Sequence, residues 1–240
     1  MELKTAVVIP ALNEEGNIAA LVRQTRAQAV QMVIVVDNGS TDKTARRARE
    51  AGARVVVEQR RGYGYACAAG TAVALDQGAG VVVYMDGDFS SLPAELPALL
   101  APIRAGAADL VMGSRSLGRI ASGAMLPHQR FGNWLSARLL SALYGVRVTD
   151  LGPYRAIRGD CIAALDMREM TFGWPTEMTV KVARAGGRIV EIPVSWQPRH
   201  SGQSKVSGTL RGSILAAYYI LGVTLRYAPY RAAFGRLFRR

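Results

Sequence analysis

The chain has 240 residues, half of them hydrophobic, with two cysteines and a formal net charge of +12. That length and apolar content provide for a sizeable buried core and exclude a disordered or disulfide-stapled protein. The excess of 30 Lys and Arg over 18 Asp and Glu implies an anionic partner: phosphate, nucleotide, nucleic acid or lipid headgroup.

The opening Met-Glu-Leu-Lys and the short apolar run Thr5 to Leu12, interrupted by Pro10, lack the n-region and cleavage site of a secretory signal, so a cytoplasmic protein is expected. Short apolar runs at Thr5 to Ile9, Met32 to Asp37, Arg54 to Glu58, Val81 to Met85 and Asp109 to Met112 are continuous rather than alternating, as in strands covered on both faces. Between them, Glu14 to Ala29, Thr41 to Ala51, Gly64 to Gln77 and Ala94 to Ala105 read as helices. This β-α alternation predicts a doubly wound α/β fold with a Rossmann-like, mostly parallel sheet. Beyond it the pattern predicts helices over Phe131 to Leu143 and Pro175 to Ala185 and a strand over Arg188 to Val194.

From Ile192 to Arg240 there is no Asp or Glu, while eight Lys and Arg occur there. Gly208 to Tyr227 reads as a helix whose uncharged stretch, Gly212 to Leu225, is 14 residues, short of the roughly 20 that span a bilayer. The expected organisation is one domain over residues 1–207 and a basic apolar helix and tail over 208–240. That tail, with Tyr230, Phe234, Leu237 and Phe238 among arginines, suits an anionic membrane surface; a helix packed on the domain is the alternative.

Ligands of open parallel sheets bind at the carboxyl ends of the strands. There the chain places Pro10, Asn13 and Glu14, then Asp37 and Asn38, then Asp86 and Asp88. Such residues also serve as caps and turns, but acidic or amide groups at three successive strand ends point to a site. Asp86 and Asp88, separated by Gly87, project the same way from an extended segment, a hard oxygen pair suited to Mg²⁺ or Mn²⁺ bridging a diphosphate. Cys67 and Cys161 match no zinc spacing, although one disulfide stays open as an alternative, and two histidines exclude a multi-histidine zinc centre. His200 reads as a solvated loop residue. Gly62-Tyr63-Gly64-Tyr65-Ala66-Cys67 is not a dinucleotide fingerprint, because Cys67 replaces its third glycine; it reads as a turn into a helix beside the nucleotide.

Val8-Ile9-Pro10-Ala11-Leu12-Asn13-Glu14, Val35 to Asp42, Met85-Asp86-Gly87-Asp88, Gly113-Ser114-Arg115 and Gly202-Gln203-Ser204-Lys205 together resemble a family 2 glycosyltransferase with the GT-A fold. Within that family the likeness is to polyprenyl-phosphate (dolichol-phosphate) hexose synthases. The resemblance implies a nucleotide-sugar donor such as UDP-glucose or GDP-mannose, a polyprenyl-phosphate acceptor, and peripheral attachment to the inner face of the cell membrane. It implies that Pro10, Asn13, Glu14, Asp37 and Asn38 line the nucleoside pocket and that Asp86 and Asp88 hold the cation. Arg115 and Arg130 are to meet the acceptor phosphate, Asp150 is to face the acceptor side, and Arg199 and Lys205 are to close over the diphosphate. Asp150 has the alternative of a buried ion pair with Arg155 or Arg158. Glu177 is a second acceptor-side candidate, or a cap of its helix. Two departures stand out: Asn38 where the family often has Asp, and Ser90 where dolichol-phosphate mannose synthases commonly have Gln.

A transfer to a sugar hydroxyl would need a carboxylate base, whereas a phosphate monoester, with a second pKa of roughly 6, arrives ionised. A sugar-phosphate nucleotidyltransferase should carry a Gly-rich basic loop where Ala11-Leu12-Asn13-Glu14 stands. A nucleic-acid or membrane-binding module has no need of three acidic strand ends, so nucleic acid is not expected as a partner.

Overall fold

The β-branched runs form strands because their side chains are buried on both sides of one sheet. In this computed structural model, which describes residues 3–202 and 210–228, they are β1 (Thr5–Ala11), β2 (Met32–Asp37), β3 (Arg54–Val57), β4 (Val81–Tyr84), β5 (Leu110–Ser114), β6 (Arg155–Arg158) and β7 (Ile189–Pro193). The sheet order is β3-β2-β1-β4-β6-β5-β7. All neighbours are parallel except β6, which runs antiparallel between β4 and β5. The predicted fifth strand therefore does not pair with the fourth. β6 escapes sequence reading because Arg155-Ala156-Ile157-Arg158 has two apolar residues between arginines rather than an apolar run.

Residues of β1 alternate between two cores. Ala6 and Val8 join Ile34, Val36, Val82 and Tyr84 on one side, whereas Val7 and Ile9 join Val35, Val83 and Met85 on the other. Helices α1 (Ile18–Arg26), α2 (Thr44–Glu50) and α4 (Leu96–Arg104) cover the second side; α3 (Tyr63–Asp76) and α7 (Trp174–Arg184) cover the first. α1 turns Ile18, Leu21, Val22 and Thr25 inward at helical spacing. α3 carries small residues because it lies close on the sheet: a Cβ at Gly70 would sit 2.4 Å from Val8 Cγ1.

The remaining helices are α5 (Pro127–Tyr144), the short α6 (Gly159–Ala164) and α8 (Leu210–Arg226). α8 is docked on the domain through its last turns: Tyr144 donates to the Thr224 carbonyl at 2.6 Å and Tyr227 donates to Glu177 at 2.7 Å. No described helix is long and apolar enough to cross a membrane.

Strand order reverses beside β1 and β4, and this switch point collects the loops after β1, β2 and β4. A cavity of about 560 Å³, lined by Arg23, Arg26 and Arg54, lies at the opposite, amino-terminal ends of β2 and β3. The start of α3 is fixed by close backbone contact: Gly64 donates to the Met170 carbonyl at 3.1 Å, and a Cβ there would sit 2.4 Å from the Glu169 carbonyl oxygen. Gly to Ala inside an ordinary helix is worth about +1 kcal/mol. Here Gly64→Ala should instead destabilise by about 1–3 kcal/mol through overpacking, and a thermal melt showing an unchanged or raised Tm contradicts this close approach.

Candidate active site

The Asp86-Gly87-Asp88 turn follows β4 directly. A Cβ at Gly87 would come within 3.2 Å of the Pro10 carbonyl and 3.4 Å of the Glu14 side chain, so this position lets the β1 and β4 loops meet. Asp88 is held by Ser90, whose backbone N–H and hydroxyl both donate to Oδ1, at 3.0 and 2.6 Å. Ser90, the departure from the resembling synthases, thus orients this carboxylate. The next residue, Phe89, has φ of +65°, a strained conformation for a bulky side chain that costs about 1–3 kcal/mol and clusters at functional sites.

Tyr63 Oη donates to Asp86 Oδ1 at 3.3 Å from the first turn of α3. Burial and the neighbouring Asp88 carboxylate push the Asp86 carboxyl up to about 7. Burial, followed by the Asp86 charge, raises the Tyr63 phenol as well. Below them lies Arg155, 1 % exposed, its guanidinium bonded to the carbonyls of Gly152 and Pro175 and to Thr179. Its burial lowers the pKa to about 10.

The β1 and β2 loops are stitched together. Asn13, exposed and at φ of +52°, receives its neighbours on both sides: its N–H donates to Ser40 Oγ at 2.9 Å and Thr41 N–H donates to its Oδ1 at 2.8 Å. Asp37 caps its own turn, accepting from Ser40 N–H at 2.9 Å. Asn38 gives both amide protons to the carbonyls of Glu58 and Arg60 and accepts from Gly62 N–H, so its side chain is committed to the segment before α3. Glu14 is buried against Arg199, with Nη1 donating at 2.8 Å to each carboxylate oxygen and Nη2 closing the pair, and it also accepts from Asn17.

The segment after β7 crosses the Asp88 turn. His200 N–H donates to the Asp88 carbonyl at 3.2 Å, and Gln197 N–H to the Ser90 carbonyl at 2.9 Å. Arg199 Nε lies 3.9 Å from Asp88 Oδ2 and, though buried, has no hydrogen-bond partner among the described residues. Lys205 lies outside the described residues.

On the other flank, Asp150 pairs with Arg115, not with Arg155 or Arg158. Arg115 donates from its backbone N–H, Nε and Nη2 at 2.6, 2.8 and 2.6 Å, and its guanidinium lies 4.9 Å from the Trp196 ring centre. Burial pushes the Asp150 carboxyl up, but the Arg115 charge, the hydrogen bonds from Arg115 and the Arg155 charge together outweigh it and hold the group below the usual carboxylate range. Glu191 on β7 places Asp150 by accepting its N–H at 3.0 Å. Asn133 on α5 accepts from Arg115 Nη2 at 3.4 Å and from Leu151 N–H at 3.1 Å. Arg130 is exposed in the first turn of the same helix. Glu177, fully buried, accepts from Arg168 and Glu169 N–H, Lys181 and Tyr227, an arrangement that fastens α8 rather than capping α7 alone.

Residues 6–165 match the glycosyl transferase family 2 model, two thirds of the chain. The chain belongs to glycosyl transferase family 2. It is 41 % identical over 211 residues to an uncharacterized glycosyltransferase of Mycobacterium tuberculosis, covering 88 % of this chain and 93 % of that one. It is 32 % identical to the undecaprenyl-phosphate mannosyltransferase of Micrococcus luteus, over 97 % of this chain and all of the relative. The polyprenol monophosphomannose synthase of Mycolicibacterium smegmatis is also 32 % identical, over 86 % of this chain and 82 % of that one. The fold matches crystalline glucosyl-3-phosphoglycerate synthase of Mycobacterium tuberculosis bound to Mn²⁺ and UDP, with a TM-score of 0.77, 23 % identity, and coverage of 94 % of this chain and 80 % of that one. The expected α/β, GT-A-type fold is therefore confirmed.

The donor set of this family member fits a cation that shares its ligands with a substrate. Among the described residues no group of three or more His, Cys, Asp and Glu could hold a metal ion alone. Two carboxylates that repel one another, with the remaining positions left to phosphate oxygens, suit Mg²⁺ or Mn²⁺. Sequence reading passed over Glu191 and the contact of Tyr63 with Asp86, and considered Arg155 only as a partner for Asp150. The Gly62-Tyr63-Gly64 turn signalled only a turn beside the nucleotide, and no local pattern marks an arginine that bonds carbonyls.

Because the folded Asp86 carboxyl titrates near 7 and an unfolded one near 4, the folded chain retains a proton that the unfolded chain has released between those values. Stability of the metal-free protein should thus fall as pH rises from about 4 to about 7 through this group. Urea denaturation at several pH values should show that component missing in Asp86→Asn; identical pH dependences in the two proteins contradict the assignment.

Proposed function

We propose that the chain transfers a hexosyl group from a nucleoside diphosphate hexose, UDP-glucose or GDP-mannose, to a polyprenyl phosphate with inversion at the anomeric carbon. The observation that carries the acceptor class is the state of the carboxylates. Glu14 is bound by Arg199 and Asn17, Asp150 by Arg115, and Glu177 by four donors, so these three carboxylates are already committed to protein partners. A hydroxyl acceptor needs such a base; an ionised phosphate does not. The relatives named as acting on undecaprenyl phosphate and as making polyprenol monophosphomannose support the same class.

In this reading an acceptor phosphate oxygen attacks the anomeric carbon, the bond to the diphosphate breaks, and a nucleoside diphosphate leaves. Asp86 and Asp88 would hold a divalent cation, which would supply positive charge against the negative charge developing on the leaving diphosphate. Arg199, whose Nε has no partner among the described residues, would add charge against the same group, as would Lys205 by its place in the sequence, and Ser90 keeps Asp88 oriented. Asp37 and Asn13, with Pro10 and Asn38 behind them, form the nucleoside end. Arg115, fixed by Asp150, and Arg130 receive the acceptor phosphate. We assign this chemistry to residues 1–207, with 208–240 as an appended docking or membrane-surface segment.

Nucleoside diphosphate release from UDP-glucose and GDP-mannose, measured with Mg²⁺ or Mn²⁺ and with or without polyprenyl phosphate, tests the proposal. One donor should give lipid-dependent release, and Asp88→Ala should lower kcat/KM by about three orders of magnitude with the fold retained. Release independent of the lipid, or stimulated instead by sugar hydroxyl acceptors, contradicts it.

A further inference from the structure

We propose that the cavity at the amino-terminal ends of β2 and β3 is a second anion site, built for a small molecule that carries two phosphoryl groups. It lies at the opposite end of the strands from the crevice: the length of β2, roughly 17 Å at the usual rise, separates Met32 in its wall from Asp37. Arg23 and Arg26 enter it from the last turn of α1, and Arg54 from the first residue of β3. No Asp or Glu lines it, and these three arginines form no ion pair among the described residues. The acids flanking Arg54 in sequence are engaged elsewhere, Glu50 with Arg46 at 3.7 Å and Glu58 with Arg60 at 2.9 Å. Basic side chains at the carboxyl end of α1 complement the helix dipole, which gives Arg23 and Arg26 a structural reason; Arg54 begins a strand and has none of that kind.

The Arg26 guanidinium is held in place. Its Nη1 donates to the Ala51 carbonyl at 3.2 Å and lies over Gly52, where a Cβ would stand 1.7 Å away. Gly52, at φ of +92°, supplies both the turn out of α2 and that clearance. Gln31 accepts from Thr5 N–H at 2.7 Å through Oε1, which leaves its amide N–H groups as neutral donors on the same wall. Val30 and Met32 add apolar surface beside them. Like charges converging on a concave space focus a positive field there and attract an anion of matching charge. Three guanidiniums carry three positive charges, two phosphoryl groups carry about three to four negative ones, and each planar fork can pair two phosphate oxygens. At about 560 Å³ the cavity also has room for the carbon skeleton between two such groups, within the size range of small-molecule sites. This site needs neither hexosyl transfer nor a cation at Asp86 and Asp88.

Isothermal titration of the full chain in EDTA with fructose 1,6-bisphosphate and with inorganic pyrophosphate tests the proposal, with fructose 6-phosphate as the single-phosphate control. At least one of the two probes should saturate a single site per chain and bind about tenfold or more tighter than the control. Arg23→Gln and Arg54→Gln replace exposed side chains, so each should keep its Tm while weakening the probe about tenfold, and the double variant should abolish binding. Arg199→Gln, in the crevice, should leave binding intact. Absence of saturable binding by both probes, equal binding of fructose 6-phosphate, or unchanged binding by the double variant overturns the proposal. So does loss of binding in Arg199→Gln, which would place the anion in the crevice instead. A bound probe in a chain that transfers no hexose would leave this site standing and overturn the function proposed above.

Discussion

Two carboxylates in the Asp86-Gly87-Asp88 turn repel each other at the end of a buried strand, and the surrounding structure is organised around that repulsion. β4 ends here between parallel β1 and antiparallel β6, and the strand-order reversal opens a crevice beside it. Gly87 then permits the β1 loop to close against the turn, while Phe89 accepts a strained backbone conformation to complete it. A protein without a use for paired acids would place one neutral residue here and remove the penalty. Both acids are retained, and burial together with Asp88 pushes the Asp86 carboxyl up to about 7.

Positive charge is arranged around the pair in a graded way. Arg199 is held by Glu14 yet leaves Nε without a partner close to Asp88. Arg115 is immobilised by Asp150, whose backbone N–H donates to Glu191, and by the face of Trp196, whose indole N–H donates to the Ala124 carbonyl and whose backbone N–H donates to the Arg119 carbonyl. Arg155 is deeper still and serves as a buried positive strut whose bonds go to carbonyls. Removing either member of the Arg115–Asp150 pair would leave a buried charge unmatched, the costly way to break such a pair. Preorganised cations of this kind need no reorganisation when charge develops on a leaving group.

Much of this was legible in the chain. Continuous Val and Ile runs located β1, β2 and β4, and the polar residues after them located the crevice, because a doubly wound sheet leaves little freedom about where its loops gather. Arg155-Ala-Ile-Arg158 was not legible as a strand, since its assignment depends on pairing between β4 and β5 rather than on its own pattern. The partner of Asp150 was misread for a related reason: proximity in sequence favoured Arg155 and Arg158, whereas the fold brings Arg115 from 35 residues away. Asn38 and Glu177 carried polar groups suited to a ligand, but the loops around them absorb their hydrogen bonds, which no spacing rule reveals.

The central claim is that the paired acids and a nucleoside diphosphate share one divalent ion. Isothermal titration of Mn²⁺ into the protein in the presence and absence of UDP or GDP measures it most directly. The account predicts one Mn²⁺ per chain, bound much more tightly with the matching diphosphate present and lost in Asp86→Asn. Equal Mn²⁺ binding by wild type and Asp86→Asn, or diphosphate binding indifferent to the metal, would contradict it.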